Sequence, residues 1–106
     1  MRSRYAAYAK GEVDYVIETT DPDGEAWEEP ESKWRADIRK FGRDVDFLGV
    51  DIIDSGVEED AGWVRFHARL RSNGANASFT ERSEFVRRDG KWFYSRGEVE
   101  VEGVSG

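Results

Sequence analysis

The 106-residue sequence has no cysteine and a single histidine, His67. The first absence excludes disulfide frameworks, thiolate zinc sites and cysteine nucleophiles. The second excludes metal sites built from several histidines. No apolar run approaches the roughly 18 residues of a membrane span. The opening Met1-Arg2-Ser3-Arg4-Tyr5 runs straight into polar sequence, without the apolar stretch of a signal peptide. Bases are outnumbered, with 16 Lys and Arg against 23 Asp and Glu and a formal net charge of −7. That balance disfavours nucleic acid as a partner. The expectation is a soluble cytoplasmic domain with no metal and no cofactor.

What is present fits one domain. A chain of this length buries roughly 60–65% of its unfolded surface, which supports one modest core. The domain is expected over residues 1–102, with 103–106 as a fraying tail. The charge is uneven. Residues 11–32 hold nine acids and no base, whereas residues 63–97 hold eight bases and three acids. The molecule reads as an acidic arm and a basic body. The acids serve as a solvated surface, or the two halves face each other, or the basic part meets an acidic partner.

Periodicity places helices first. Residues 2–10 form a short helix with Tyr5 and Tyr8 on one face beside Ala9, and Gly11 stops it. Residues 12–19 form a second, with Val13, Val16 and Ile17 at helical spacing. Thr20-Asp21-Pro22-Asp23-Gly24 is a turn cluster. Ser32 caps a third helix reaching about Phe41, its stripe made by Trp34, Ile38 and Phe41, and Gly42 ends it. The period then changes to two. Residues 47–53 are a strand, 54–62 an acidic loop and 63–72 a cleanly alternating strand. Residues 73–76 are a turn, 77–88 a third strand and 91–101 a fourth, joined to the third by Asp89-Gly90. Helices followed by a meander imply an α+β fold: N-terminal helices packed on one face of a curved, antiparallel, four-stranded sheet.

Counting from the two turns shows what lies inside. With Asp89-Gly90 as a loop, Val86 pairs Phe93 and Phe85 pairs Tyr94. With 73–76 as a loop, Leu70 opposes Phe79, Ala68 opposes Glu81 and Phe66 opposes Ser83. The face under the helices is then apolar except for Glu81 and Ser83. An unpaired carboxylate there costs several kcal/mol. Glu81 is therefore ion-paired with Arg2 or Arg4, or lines a pocket as an acid or base, or is turned outward by a register slip. The opposite face carries Arg65, His67, Arg69, Arg71, Arg82 and Arg88. It is a solvated basic face, a surface for self-association, or a binding face for an anionic partner.

Several ordered fragments resemble the middle domain of YchJ proteins. They are Met1-Arg2-Ser3-Arg4-Tyr5-Ala6-Ala7-Tyr8, Gly11 to Thr20, Phe47-Leu48-Gly49-Val50 and Gly62 to Ala68. The most specific is Glu81-Arg82-Ser83-Glu84-Phe85-Val86-Arg87 with Asp89-Gly90-Lys91-Trp92-Phe93-Tyr94. The resemblance covers about residues 1–97. It implies a nuclear transport factor 2-like, cystatin-like cone of helices against a bent sheet. Proteins of this family usually carry cysteine-bearing SEC-C zinc segments. This chain has no cysteine, so that zinc is not carried over. Where the family often has a histidine before Glu-Arg-Ser, this chain has Thr80.

No nucleophile, metal or phosphate motif is present, so the leading expectation is a small binding or interaction domain of the YchJ type. It would self-associate through the outer sheet face, or hold a small apolar ligand in the cone against Trp34, Glu81, Phe85, Trp92 and Tyr94. The alternative is a SnoaL-like enzyme with Glu81 as pocket acid or base and Ser83, Tyr94 or Tyr5 as hydrogen-bond partners. A third class is recognition of an anionic partner through Arg65, His67, Arg69 and Arg82.

Overall fold

The computed structural model describes residues 2–100. The expected end of the last strand at Val101 and the tail 103–106 lie outside the described residues. The order is α1 (Arg2–Lys10), α2 (Val13–Glu18), α3 (Glu31–Asp44), β1 (Val45–Glu58), β2 (Ala61–Ser72), β3 (Ala75–Asn76), β4 (Phe79–Arg88) and β5 (Lys91–Glu100). The sheet is antiparallel in the order β1-β2-β4-β5, with β3 beside β2. No helix among the described residues is long and apolar enough to cross a membrane.

Five expectations are corrected. Ser32 is not a cap; α3 starts at Glu31 behind Pro30 and has no side-chain cap. Gly42 does not end α3. It sits inside the helix, where the absent side chain lets α3 approach the Tyr8 carbonyl of α1. In α1 the buried residues are Arg4 and Ala7, while Ala9 is exposed. The acidic stretch 54–62 is mostly strand, because β1 runs to Glu58 and turns tightly at Glu59-Asp60 into Ala61. Its acids read as loop chemistry, yet an edge strand with one open face accommodates them.

The fifth correction is the register between β2 and β4. Asn73 and Gly74 both adopt positive φ (53° and 79°) and form a two-residue turn, so Ser72 pairs Ala75 rather than Ala77. Ala68 therefore opposes Phe79, Phe66 opposes Glu81 and Val64 opposes Ser83. The slip is two residues, and two residues preserve the face. The extra short strand β3 keeps the same register as β4. The ladder breaks at Ala77-Ser78, where the Leu70 N–H donates to Ser78 Oγ (3.0 Å).

Curvature comes from bulges. Leu48 and Ile53 lack partners in the β1–β2 register and are half exposed, at 50% and 48%. Each bends β1 around the helices. Two buried clusters result. One joins Ala7, Val13, Val16, Ile17, Trp34 and Ile38 within the helices. The other joins Phe66, Ala68 and Leu70 on the sheet. An edge-to-face chain of rings, Tyr8–Phe41–Phe47–Tyr5, bridges them. The acidic arm covers the β5 edge: Asp21 N–H donates to the Tyr94 carbonyl (2.8 Å) and Ala26 N–H to the Ser95 carbonyl (2.9 Å).

Helix propensity alone makes Gly42→Ala stabilising by about 1 kcal/mol. The contact with the Tyr8 carbonyl reverses the sign. The variant is expected to lose about 1–3 kcal/mol, as overpacked sites do, measured as a fall in the urea midpoint with an unchanged slope.

Candidate functional site

A cavity of about 220 Å³ lies between the helices and the sheet. Phe47, Phe66, Phe79 and Leu70 supply apolar walls from the sheet, and Tyr5, Tyr8 and Phe41 close it from the helices. Three polar groups of the sheet enter it: Glu81, Ser83 and Tyr94. They share one face because Glu81 and Ser83 are two apart on β4, and Phe85, two further on, pairs Tyr94.

Glu81 Oε2 accepts hydrogen bonds from Ser83 Oγ (2.6 Å) and Tyr94 Oη (3.1 Å). The backbone at Gly97 lies so close to this carboxylate and phenol that a side chain at 97 would collide with both. The expected ion pair with Arg2 or Arg4 is not formed. Arg4 is buried, at 7% exposure, but its hydrogen bonds go to the end of α2. Nη1 donates to the Val16 carbonyl (3.0 Å), Thr19 Oγ1 (2.6 Å) and Thr20 Oγ1 (3.2 Å). The guanidinium carbon lies 4.4 Å from the centre of the Tyr94 ring. Arg4 and Glu81 thus meet through Tyr94, stacked by one and hydrogen-bonded by the other.

Burial shifts the groups around them. It lowers the Arg4 pKa, which leaves an arginine charged at any ordinary pH. Burial also raises the Tyr8 phenol, against the pull of Arg4. The Tyr94 phenol is raised further, first by burial, then by the Glu81 charge and hydrogen bond. Tyr94 is thereby held as a hydrogen-bond donor.

The remaining predicted residues are dispersed. Tyr5 lines the cavity with its ring, but its hydroxyl is engaged by Gly49, donating to the carbonyl and accepting from the N–H, both at 2.9 Å. Trp34 lies in the helical cluster against Trp27, 5.0 Å between ring centres. Phe85 and Trp92 line a different cavity. On the outer face, Arg65 pairs with Glu100, and Arg69 pairs with Asp51 (3.1 Å). His67 Nδ1 lies 3.0 Å from Thr80 Oγ1. Arg82 lies over the Trp63 ring (4.4 Å). The acidic arm faces the basic body: Arg88 pairs with Asp21 (2.6 Å) and Arg96 with Glu25 (3.0 Å). Sequence reasoning missed Arg4 and Tyr8 as cavity residues. The available signal was Arg4 at helical spacing to Ala7 and Tyr8, an arginine on an inward face.

Residues 1–97 match the family described as YchJ, middle NTF2-like domain. A UPF0225 protein of Pectobacterium carotovorum is 39% identical over 102 residues, covering 92% of this chain and 63% of the relative. One from Vibrio vulnificus is 38% identical over 97 residues, covering 92% and 56%. The chain thus spans somewhat over half the length of these relatives. Among solved structures, a SEC-C motif containing protein of Rhodopseudomonas palustris is 37% identical with a TM-score of 0.78, covering 95% of this chain and 76% of that one. An LEH-like epoxide hydrolase of Mycobacterium tuberculosis superposes with a TM-score of 0.61 at 16% identity, covering 90% and 75%, a likeness of fold alone.

The raised Tyr94 phenol has a consequence for stability. A folded-state pKa above the unfolded value of 10.0 contributes stability that is complete below pH 10 and lost as the pH climbs through the folded value. The protein is expected to lose stability above about pH 10, and Tyr94→Phe to lose less. Urea midpoints from pH 8 to 11 check this, with tyrosinate absorbance as a parallel readout.

Proposed function

The chain belongs to the YchJ middle-domain family, a family of NTF2-like fold, and from that premise we propose that it is a small binding domain whose ligand sits in the cone. The observation that carries this reading is a carboxylate in a cavity with aromatic walls and no cation of the described residues paired to it. Glu81 Oε2 is occupied by Ser83 and Tyr94, which leaves Oε1 as the acceptor for a ligand N–H or O–H. A 150 Å³ apolar cavity admits a benzene-sized molecule. About 220 Å³ therefore suits one ring carrying a donor group. The outer face supports self-association less directly, since Arg65, His67, Arg69 and Arg82 already have partners within the chain.

The same carboxylate supports a second reading, in which Glu81 moves a proton to or from the bound molecule as general acid or base, with Tyr94 as donor. The two readings separate on turnover: a substrate converted by the wild type and untouched by Glu81→Gln favours chemistry over binding.

Benzylamine and toluene, titrated by NMR, test the binding reading. Benzylamine is expected to perturb the Phe66, Phe79 and Tyr94 resonances and to bind more tightly than toluene. Glu81→Gln is expected to weaken benzylamine about ten-fold, the worth of a charge-assisted hydrogen bond, and to leave toluene unaffected. Equal binding of the two by the wild type, or perturbation confined to the outer sheet face, overturns the proposal.

A further inference from the structure

A second cavity, of about 380 Å³, shares Arg4 with the first and no other lining residue. Its apolar walls are Val64, Phe85 and Trp92. Among the described residues Arg4 is its one charged lining residue, and no acid lines it. Burying a guanidinium costs several kcal/mol unless it is paired and hydrogen-bonded. Here one carbonyl and two hydroxyls, all taken through Nη1, supply the hydrogen bonds. No carboxylate of the described residues forms an ion pair with it. The arginine is therefore a buried cation with hydrogen bonds but no carboxylate in direct contact, and Glu81 acts on it only across the Tyr94 ring.

We infer that this second cavity binds a small organic carboxylate, with its acid group against Arg4 and its apolar body against Trp92, Phe85 and Val64. One cation matches one negative charge. A phosphate monoester, with nearly two, would require further cations that the described lining does not supply. Hydroxyls line the same cavity for the second carboxylate oxygen. Ser3 Oγ accepts the Tyr15 hydroxyl (2.8 Å), so its own proton is free to donate. Ser55 also lines the cavity. This inference rests on Arg4 and its cavity, not on the Glu81 reading, so either can fail alone.

The experiment compares 2-naphthoate with its neutral isostere 2-naphthylmethanol on the unmodified protein, by calorimetry and by the four indole N–H resonances. The acid is expected to bind about ten-fold more tightly than the alcohol. It is expected to shift the Trp92 indole and leave that of Trp34, in the helical cluster, in place. Arg4→Met is expected to abolish the preference for the acid. Arg4 also ties α1 to α2, so Trp92→Ala, at the half-exposed rim, provides the variant that keeps the fold. It is expected to weaken both probes several-fold while preserving the preference for the acid. Equal affinity for acid and alcohol, absence of binding by both, or shifts confined to Tyr94 and the Glu81 cavity each overturn the inference.

Discussion

Arg4 is the point where helices, arm and sheet are joined. It leaves α1, hydrogen-bonds the last turn of α2 and the two threonines that follow, and stacks on Tyr94 of β5. Those threonines open the segment that covers the β5 edge, where the Tyr94 N–H donates to the Thr19 carbonyl (2.7 Å). One side chain thus positions α2 against α1 and fixes where the arm meets the sheet. It also divides the space beneath the helices, because both cavities border on it. Any substitution that removes its charge releases all of these constraints together, so its effects on ligand and on fold are coupled.

The second constraint is a single residue of β5. Phe85 pairs Tyr94, but Glu84 pairs Arg96, which leaves Ser95 as a bulge. Without it Glu81 would oppose Glu98, and two carboxylates would share the inner face. With it Glu81 opposes Val99 and Ser83 opposes Gly97. Arg96, Glu98 and Glu100 turn outward, where Arg96 meets Glu84 (3.4 Å) and Glu100 meets Arg65. The bulge thereby gives the cavity a lone acid and gives the outer face its complementary charges. It is also where the arm attaches, through the Ser95 carbonyl.

The α+β order and the inward face were legible because both rest on short-period patterns. The count from Asn73 was wrong by two residues, yet an even error keeps Glu81 and Ser83 inside. An odd one would have turned them out. The Ser95 bulge was not legible. Nothing in Tyr94-Ser95-Arg96 marks an extra residue, and the bulge is set by the arm that docks on it. The partner of Arg4 was misjudged for a related reason. Charge suggested Glu81, but the guanidinium is captured by a helix end and two hydroxyls, groups whose positions depend on the turn after α2. Trp34 and Trp92 looked alike as apolar walls. Their separation into the helical cluster and the second cavity is a matter of tertiary placement that no local pattern encodes.

The division of the core bears on why the polar groups are there at all. A small domain has little apolar surface to spare, and a well-packed apolar replacement for buried charges is often neutral or stabilising. This chain instead keeps its helical and sheet clusters apart around Arg4 and Glu81. If structure were the only demand, hydrophobic side chains at positions 4 and 81 would merge the two clusters and remove the void. The Glu81–Ser83–Tyr94 group spans only β4 and β5, strands already paired along their length, so it adds little to holding the fold. Packing therefore separates the two charges. Arg4 has a structural task in tying α1 to α2, whereas Glu81 has none that the hydrogen-bonded sheet does not already perform.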